Sequence, residues 1–329
     1  MLKVEHLTSP PPGFLAEQTE DYAYYTAFQS SGIANFEFGY LAVKRGSATV
    51  AVAPYFITHY YANTTLPEGW LKQALRWLRF KIVCVGHPSA DWGSIDGEIS
   101  GEVLEAVNAE LYKLAPIVAY KDFPADLPLT GFTRETNLPV AVLHVTPDYY
   151  ARLSRSARRN FRRKRRAASA LRIEECASYP REHAARIYEL YLETYQRAEM
   201  QFEKLTPQFF ENMAPLGKYV LYWESATLIG FSLLICKDNT MLAKYLGMDY
   251  AKARRYGLYF AMLLNHIDIC IRDGHEVYQT GQSSYAFKQK IGSVLLPSHV
   301  YYRHRNPLLN ALLALLMKCV AYDSEAKPA

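Results

Sequence analysis

Residues 151–172 form the most strongly basic stretch of the sequence. The stretch reads ARLSRSARRNFRRKRRAASALR and contains nine Arg, one Lys and no acid, although the whole chain has a formal net charge of only +5. Solvent-exposed helices usually pair acids with bases four residues apart. Because the guanidinium group matches phosphate and carboxylate oxygens, this stretch predicts an anionic ligand. Acids from elsewhere in the fold and a membrane surface are the alternatives.

The same stretch has the periodicity of a helix with a narrow apolar side. Leu153, Phe161 and Leu171 fall on one side of a helical projection, where Lys164 interrupts them. This pattern predicts a helix that docks on the protein through its apolar side and exposes its arginines to an anion. The residues expected to contact that anion are Arg158, Arg159 and Arg162.

A second candidate binding element lies in the stretch YLGMDYAKARRYGLYFAML. The pattern predicts a strand, a loop and a long helix that opens around residues 255–257. Gly257 would let a ligand approach the backbone, and the amides of the first helical turn would donate hydrogen bonds to a pyrophosphate. Asp249, at the end of the strand, is either a general base or a helix cap. The predicted cradle consists of Gly247, Met248, Arg254, Arg255, Tyr256, Gly257, Leu258 and Tyr259.

The elements that must position these residues follow the same order in both halves of the chain, namely hairpins, then a helix, then a further strand. A hairpin is predicted around residues 45–47, and helices are predicted at 66–80 and 102–114. We therefore predict an α/β (α+β) fold of two tandem mixed-sheet units with flanking helices. The predicted parts are an N-terminal half, a C-terminal half that contains the predicted pyrophosphate cradle, and a docked C-terminal helix with a tail. They span residues 1–147, 148–306 and 307–329.

The composition limits the classes of protein that fit. The 329 residues are enough for two domains, and the five cysteines form no CxxC pair. We expect a cytoplasmic protein with reduced thiols and without stable membrane insertion, because no signal peptide or spanning segment is recognisable. The scattered histidines predict no metal site, and no P-loop motif is present.

Three stretches of the sequence resemble the GCN5-related N-acetyltransferase (GNAT) superfamily. They are LSRSARRNFRRKRRA, YLGMDYAKARRYGLYFAML and GQSSYAFKQKIGS, the last being similar to a Y-x-F-K-x-x-x-G element. The set looks most like the FemAB-like and BioF2-like branch, whose members have two tandem acetyltransferase-fold halves. The resemblance covers roughly residues 30–305 and implies that both units are GNAT-like. The sequence departs from the superfamily pattern at Tyr259, where a Gly or Ala is usual.

The resemblance also implies roles for individual residues. Lys288 would place its ammonium group near the reacting carbonyl or the phosphate of the donor. Tyr285, on the same helical face, could protonate the leaving group, and Asp91 would bind the acceptor. The residues expected to border the substrate are Phe287, Gln282 and Ser283.

Three functions compete on these grounds. The first is transfer of an acyl group from an acyl thioester, either acyl-coenzyme A or an acyl carrier protein, to a small-molecule amine. The second is amide formation from aminoacyl-tRNA, the donor of FemAB-like enzymes. The third is a non-catalytic module that binds RNA or phosphate on the same fold. Steep salt dependence is expected for a nucleic-acid partner, since released counterions scale with the phosphates contacted.

Overall fold

The computed structural model describes residues 2–61, 79–198 and 201–318. The chain divides into two compact units. Of the described residues, the first contains 2–29, 33–61, 79–139 and 297–318, and the second contains 30–32, 140–198 and 201–296. The predicted boundaries after residues 147 and 306 differ from the boundaries found from packing, which follow residues 139 and 296. The predicted boundaries remain a proposal about where the tandem repeat divides.

The first unit is a mixed sheet with two described helices. Its strands lie in the order β1–β2–β3–β4–β6–β13, with β5 paired to β3. All pairings are antiparallel except that of β4 with β6, which is parallel. The elements are β1 (Leu2–Leu7), α1 (Tyr22–Gln29), β2 (Glu37–Arg45), β3 (Ala48–Tyr61), β4 (Arg79–Val85), β5 (Asp96–Gly97), α2 (Gly101–Leu114), β6 (Ile117–Phe123) and β13 (Val294–His304).

The second unit repeats this architecture. Its strands lie in the order β7–β12–β11–β10–β9–β8, and only β11 and β12 pair in parallel. The strands are β7 (Thr133–His144), β8 (Arg172–Cys176), β9 (Gly217–Glu224), β10 (Thr227–Lys237), β11 (Thr240–Met248) and β12 (Val277–Gln279). The helices are α3 (Tyr149–Arg152), α4 (Arg155–Ala168), α5 (Ala184–Arg197), α6 (Pro207–Met213), α7 (Tyr250–Tyr256), α8 (Leu258–Asp273) and α9 (Tyr285–Lys290).

Each unit has its own hydrophobic core between its sheet and its helices. In the first unit, aliphatic residues of α2 pack against β2, β3, β4 and β6. In the second unit, α8 contributes many of the buried side chains, and Phe161 of α4 packs on Phe260 of α8 at a centroid distance of 5.4 Å. The predicted α/β fold with two mixed-sheet units is confirmed.

Most of the predicted elements are present, including the hairpin at residues 45–47, which joins β2 to β3. Other elements differ from the prediction. Residues 66–78 of the predicted helix lie outside the described residues, and Arg79 and Phe80 belong to β4 instead. The basic helix does not run unbroken from Tyr150, because the Ser154 side chain accepts a hydrogen bond from Ala157 N at 3.1 Å and caps a new helix there. The prediction also missed β1.

The C-terminal helix α10 (Pro307–Lys318) belongs to the part of the chain that packs with the first unit. Its side chains are more exposed than the predicted docking implied, and Leu308 is 82% exposed. Within the described residues, no helix combines the length and the apolar character needed to cross a bilayer.

Candidate active site

The predicted long helix after β11 is in fact two helices that meet at Gly257. This residue has φ +57° and ψ +44°, the left-handed conformation that glycine adopts readily, and it ends α7 and begins α8. Its amide donates to the carbonyl of Arg254. The helix that follows the motif therefore opens at residue 258, close to the predicted position.

The N terminus of α8 is open and is flanked by a lysine. None of the side chains that the structure describes caps it, and an intrahelical bond runs from Ala261 N to Gly257 O at 3.1 Å. Because the amides that precede Ala261 point out of the helix end, they form a partial positive charge. A Cβ built on Gly257 would lie 3.7 Å from Nζ of Lys164, which reaches this point from α4. The arrangement can hold an anion.

Two of the three basic residues of α7 lie near the carboxylate of Glu224, and the third has no acid partner among the described residues. Lys252 forms an ion pair with Glu224 at 2.8 Å, and Arg255 lies 3.8 Å from the same carboxylate. The phenol of Tyr256 donates to Glu224 at 2.6 Å, so this side chain anchors α7 to β9. Within the described part of the chain Arg254 is exposed and has no ion pair, so it is the cation of the motif that remains available to a ligand.

The strand that leads into this helix end has an open edge. β11 pairs with β12 only from Thr240↔Val277 to Leu242↔Gln279, so among the described residues no strand pairing covers 243–248 on that edge. Gly247 has a packing role, since a Cβ there would lie 2.5 Å from the Leu190 backbone of α5. Met248 is buried in the core. An open strand edge can hydrogen-bond an extended amide-bearing ligand.

An aromatic contact joins the first turn of α8 to α9. The rings of Tyr259 and Phe287 meet edge to face at 5.4 Å. Burial raises the pKa of Tyr259 to about 12, so its phenol stays neutral. Phe287 is 42% exposed and therefore presents part of its ring to a ligand. Tyr259, which departs from the superfamily pattern, thus ties the cradle to the Phe-Lys element.

Lys288 lies almost entirely inside the protein. It is 3% exposed, and its ammonium donates to the carbonyl of Gly281 at 3.0 Å. The intervening loop is strained, because Ser283 and Ser284 have φ angles of +97° and +51°. A buried ammonium and a strained loop at a strand end are typical of a functional site. Tyr285 is partly buried, with its ring 5.9 Å from the Lys288 ammonium, and Gln282 lies in the same loop.

Two predicted residues are engaged in structural contacts. One oxygen of Asp249 accepts from Lys252 N at 3.2 Å and caps α7, while the other pairs with Arg186 at 3.1 Å. Leu258 is 1% exposed and packs in the core. Asp249 has the contacts of a cap, and its role as a base remains a prediction.

Asp91 lies in the first unit, in the loop after β4. Its amide donates to the carboxylate of Glu20 at 2.9 Å. The acceptor-binding role of Asp91 stays a prediction.

Across residues 2–61, 79–198 and 201–318, no group of His, Cys, Asp and Glu side chains could hold a metal ion.

The arginines of α4 project away from the core. Arg165 pairs with Asp268 at 2.6 Å and receives further support from the phenol of Tyr150. Among the described basic residues of α4, Arg165 is the one that has an acid partner. The other arginines of the helix are exposed, and they include the predicted anion ligands Arg158, Arg159 and Arg162.

Lys164 is the site residue that the sequence prediction missed. It appeared only as an interruption of the apolar side of the basic helix, yet that interruption directs an ammonium group to the N terminus of α8. The signal was present in the sequence, since Lys164 is a single lysine among nine arginines at a position that packing would otherwise fill.

Comparison with a family model identifies the type of domain that contains this site. Residues 155–289 match the model described as an acetyltransferase (GNAT) domain, and this range contains the cradle, the open strand edge and Lys288. The chain carries a GNAT acetyltransferase domain. The predicted GNAT resemblance is confirmed for residues 155–289, and a domain of this family is that of an acyltransferase enzyme.

Solved structures extend the likeness to nearly the whole chain. L-PGS from Bacillus licheniformis has a TM-score of 0.55 at 11% identity, with 96% of this chain and 98% of that chain covered. FemX has a TM-score of 0.56 at 12% identity and covers 89% and 93% of the two chains. The C-terminal domain of a putative lysylphosphatidylglycerol synthetase from Agrobacterium fabrum gives 0.51 at 11%, covering 83% and 88%. These similarities show a shared fold. A search of curated proteins found no match.

Proposed function

We propose that this GNAT protein transfers an acyl group from a thioester, either acyl-coenzyme A or an acyl carrier protein, to the amine of a small molecule. The observation that carries the proposal is the uncapped N terminus of α8 with the ammonium of Lys164 beside it. A pyrophosphate is stabilised by this combination of helix amides and a fixed cation.

The open edge of β11 supports a thioester donor rather than a simple phosphate ester. Coenzyme A and carrier proteins present their thioester on a pantetheine arm that contains two amides. Residues 243–248 offer backbone donors and acceptors along an extended strand that leads to the same helix end. Arg254 is the second cation available to the phosphates.

The reaction requires attack of a neutral amine on the thioester carbonyl. The C–N bond forms, the C–S bond breaks, the amine nitrogen releases one proton, and the sulfur leaves as a thiolate that takes up one proton, so that one proton passes in net from nitrogen to sulfur. We assign stabilisation of the carbonyl oxygen to the ammonium of Lys288 and protonation of the thiolate to Tyr285. Phe287, Gln282 and Ser283 would contact the acceptor or the acyl group.

A panel of donors tests this proposal. The full chain is titrated with coenzyme A and with acyl-coenzyme A species of increasing chain length, while thermal unfolding and heat of binding are recorded. We expect stabilisation by coenzyme A species and a mass-spectrometric amide product in the presence of an amine mixture. Absence of binding by every thioester would refute the donor assignment, and binding without any product would favour the non-catalytic module.

A second candidate is aminoacyl transfer from aminoacyl-tRNA, which the FemAB-like resemblance implies. The observation that favours it is the row of exposed arginines on α4, because such a surface can contact several phosphates of a nucleic acid. Thioester transfer uses Lys164 and the helix end and does not require this row.

The two candidates differ in a variant in which Arg158, Arg159 and Arg162 are all replaced by Gln. If the donor is a thioester, the affinity for coenzyme A should change less than about threefold. If the donor is aminoacyl-tRNA, binding of tRNA should weaken by tenfold or more and lose part of its salt dependence, at roughly one counterion per phosphate contact. Lys113→Gln, a change of an exposed base in the first unit, is the matched control.

A further inference from the structure

The C-terminal helix α10 presents a continuous apolar surface to the outside of the first unit. Its leucines at positions 308, 309, 312 and 315 are 82%, 49%, 51% and 64% exposed. Spacings of three, four and seven residues place these side chains on one face of a helix. The opposite face, with Asn310, Leu313 and Ala314, is half-buried. A helix that is adapted to water has the reverse arrangement.

The helix is fixed to its unit at its beginning. The carboxamide oxygen of Asn306 accepts from Leu308 N at 2.9 Å and from Leu309 N at 3.3 Å, which caps the first turn. The side chain of Asn310 accepts from His304 N at 2.9 Å, and Arg305 N donates to Pro116 O at 3.0 Å. The leucine face is therefore held in a defined direction.

The charged residues within positions 303–318 have one sign. Residues 303–318 contain two Arg, one His, one Lys and no acid. Arg303 donates to the carbonyl of Thr130 at 3.0 Å, whereas Arg305 is exposed directly before the helix. Apolar side chains beside basic groups match a lipid surface with anionic headgroups, which attracts each basic residue close to it.

We propose that the leucine face of α10 is a docking surface for anionic lipid bilayers. The 12 described residues of the helix correspond to about 18 Å at the helical rise, which is less than a hydrocarbon core of about 30 Å. It therefore lies in the plane of the interface. A bilayer accepts a row of leucines without shape complementarity, whereas protein interfaces favour aromatic anchors, which this face lacks.

Vesicle flotation with the full chain tests this inference. The vesicles contain phosphatidylcholine alone or phosphatidylcholine mixed with phosphatidylglycerol. We expect the protein to float with the mixed vesicles, at least about tenfold more weakly with phosphatidylcholine alone, and less at high salt. The double variant Leu308→Glu, Leu312→Glu should lose flotation by at least about tenfold.

Ile173→Glu is the matched control, since Ile173 is 43% exposed on β8 of the second unit. Circular dichroism confirms that each variant folds. The inference is overturned if the unchanged protein does not float with the mixed vesicles or if the double variant floats as well as the unchanged protein. It is equally overturned if light scattering shows a dimer that the double variant dissociates, since a second copy then covers the face. Donor binding in solution is independent of these outcomes.

Discussion

Each unit has a central helix packed on its sheet, α2 in the first unit and α8 in the second. The two helices differ in the groups at their N termini. In the first unit, Ser100 caps α2 by accepting from Val103 N at 3.4 Å, and the Ser100 hydroxyl donates to Glu98 at 2.7 Å. Glu102 lies in the first turn. These groups occupy the amides and surround them with negative charge, which repels a phosphate.

In the second unit, no described side chain caps the equivalent helix end, and the neighbouring charge is positive. Gly257 leaves the backbone accessible, and Lys164 is directed to the same point. The parallel strand pairs differ in the same sense. β4 and β6 pair up to Val85, the last residue of β4, whereas β11 and β12 separate after three residues. The comparison supports the proposal that the donor binds to the second unit.

The change with the largest expected effect closes the open helix end. Gly257→Val places a branched side chain next to Lys164 at a residue with φ +57°. We expect donor affinity and turnover to fall at least about 100-fold, because a small misplacement of a bound substrate is enough for such a loss. The left-handed conformation should also cost about 1–2 kcal/mol of stability.

The matched control for this change is Gly101→Val, at the start of α2. A Cβ there meets only Pro128 O at 3.9 Å, and the residue does not have a positive φ angle. Donor affinity measured by calorimetry should be unchanged in the control. Equal losses in the two variants would show that the two helix ends are equivalent and would break the comparison.

Removing the buried ammonium is the next largest change. Lys288→Met should lower turnover by about 100-fold while donor affinity changes little, since the loss of one group that stabilises an oxyanion has this magnitude. Lys290→Met is the control, because Lys290 is exposed on the same helix with its ammonium over the Phe287 ring. Comparable turnover in the two variants would remove Lys288 from the reaction.

Replacing Lys164 should have an intermediate effect. Lys164→Ala removes a charged hydrogen-bond donor from the helix end, and we expect donor affinity to fall by about tenfold, with a weaker salt dependence. Arg166→Ala, two residues further on the same helix, should leave the affinity within about twofold. Calorimetry at two salt concentrations separates these cases, and an unchanged affinity in the Lys164 variant would leave the helix end without its cation.

The smallest expected effect concerns the interior of α8. This helix buries His266, whose Nδ1 lies 2.7 Å from the phenol oxygen of Tyr278, whereas α2 buries only aliphatic residues. Burial lowers the pKa of His266 from 6.5 to about 3. Between these values the unfolded chain binds a proton that the folded protein does not bind, so stability falls as the pH falls from 6.5.

The slope from this one group should approach about 1.4 kcal/mol for each pH unit below 6.5. Denaturant unfolding at pH 7.5, 6.0 and 5.0 would measure it. His266→Gln should be less stable at pH 7.5 and should show a smaller loss towards pH 5.0. A wild-type stability that stays constant over this range would mean that the histidine is not buried in its neutral form.

The sequence allowed the fold to be predicted where local signals agree with tertiary packing. Alternating apolar residues and the Arg45–Gly46–Ser47 turn predicted the hairpin, and the family motifs predicted the GNAT domain that the family model matches at residues 155–289. The break at Gly257 was not predicted, because helical periodicity continues through it and only the backbone conformation reveals the junction.

The contacts of individual side chains were less accessible to sequence analysis. Lys164 acts through its position on a helix that docks by Phe161, which depends on tertiary packing. Tyr256 belongs to the motif by spacing, but its phenol is engaged by Glu224, a residue far from it in sequence. Spacing identifies the segment that holds a site, whereas the partners of each side chain follow only from the fold.

Photo-crosslinking tests the central claim most directly. The full chain is irradiated with a photoreactive coenzyme A analogue, with and without excess coenzyme A, and the labelled peptides are identified by mass spectrometry. Binding at the open helix end predicts labelling within residues 155–168 and 243–289 of the second unit, suppressed by competitor. Competitor-sensitive labelling around residues 98–105 of the first unit, or no competitor-sensitive labelling at all, would contradict the account.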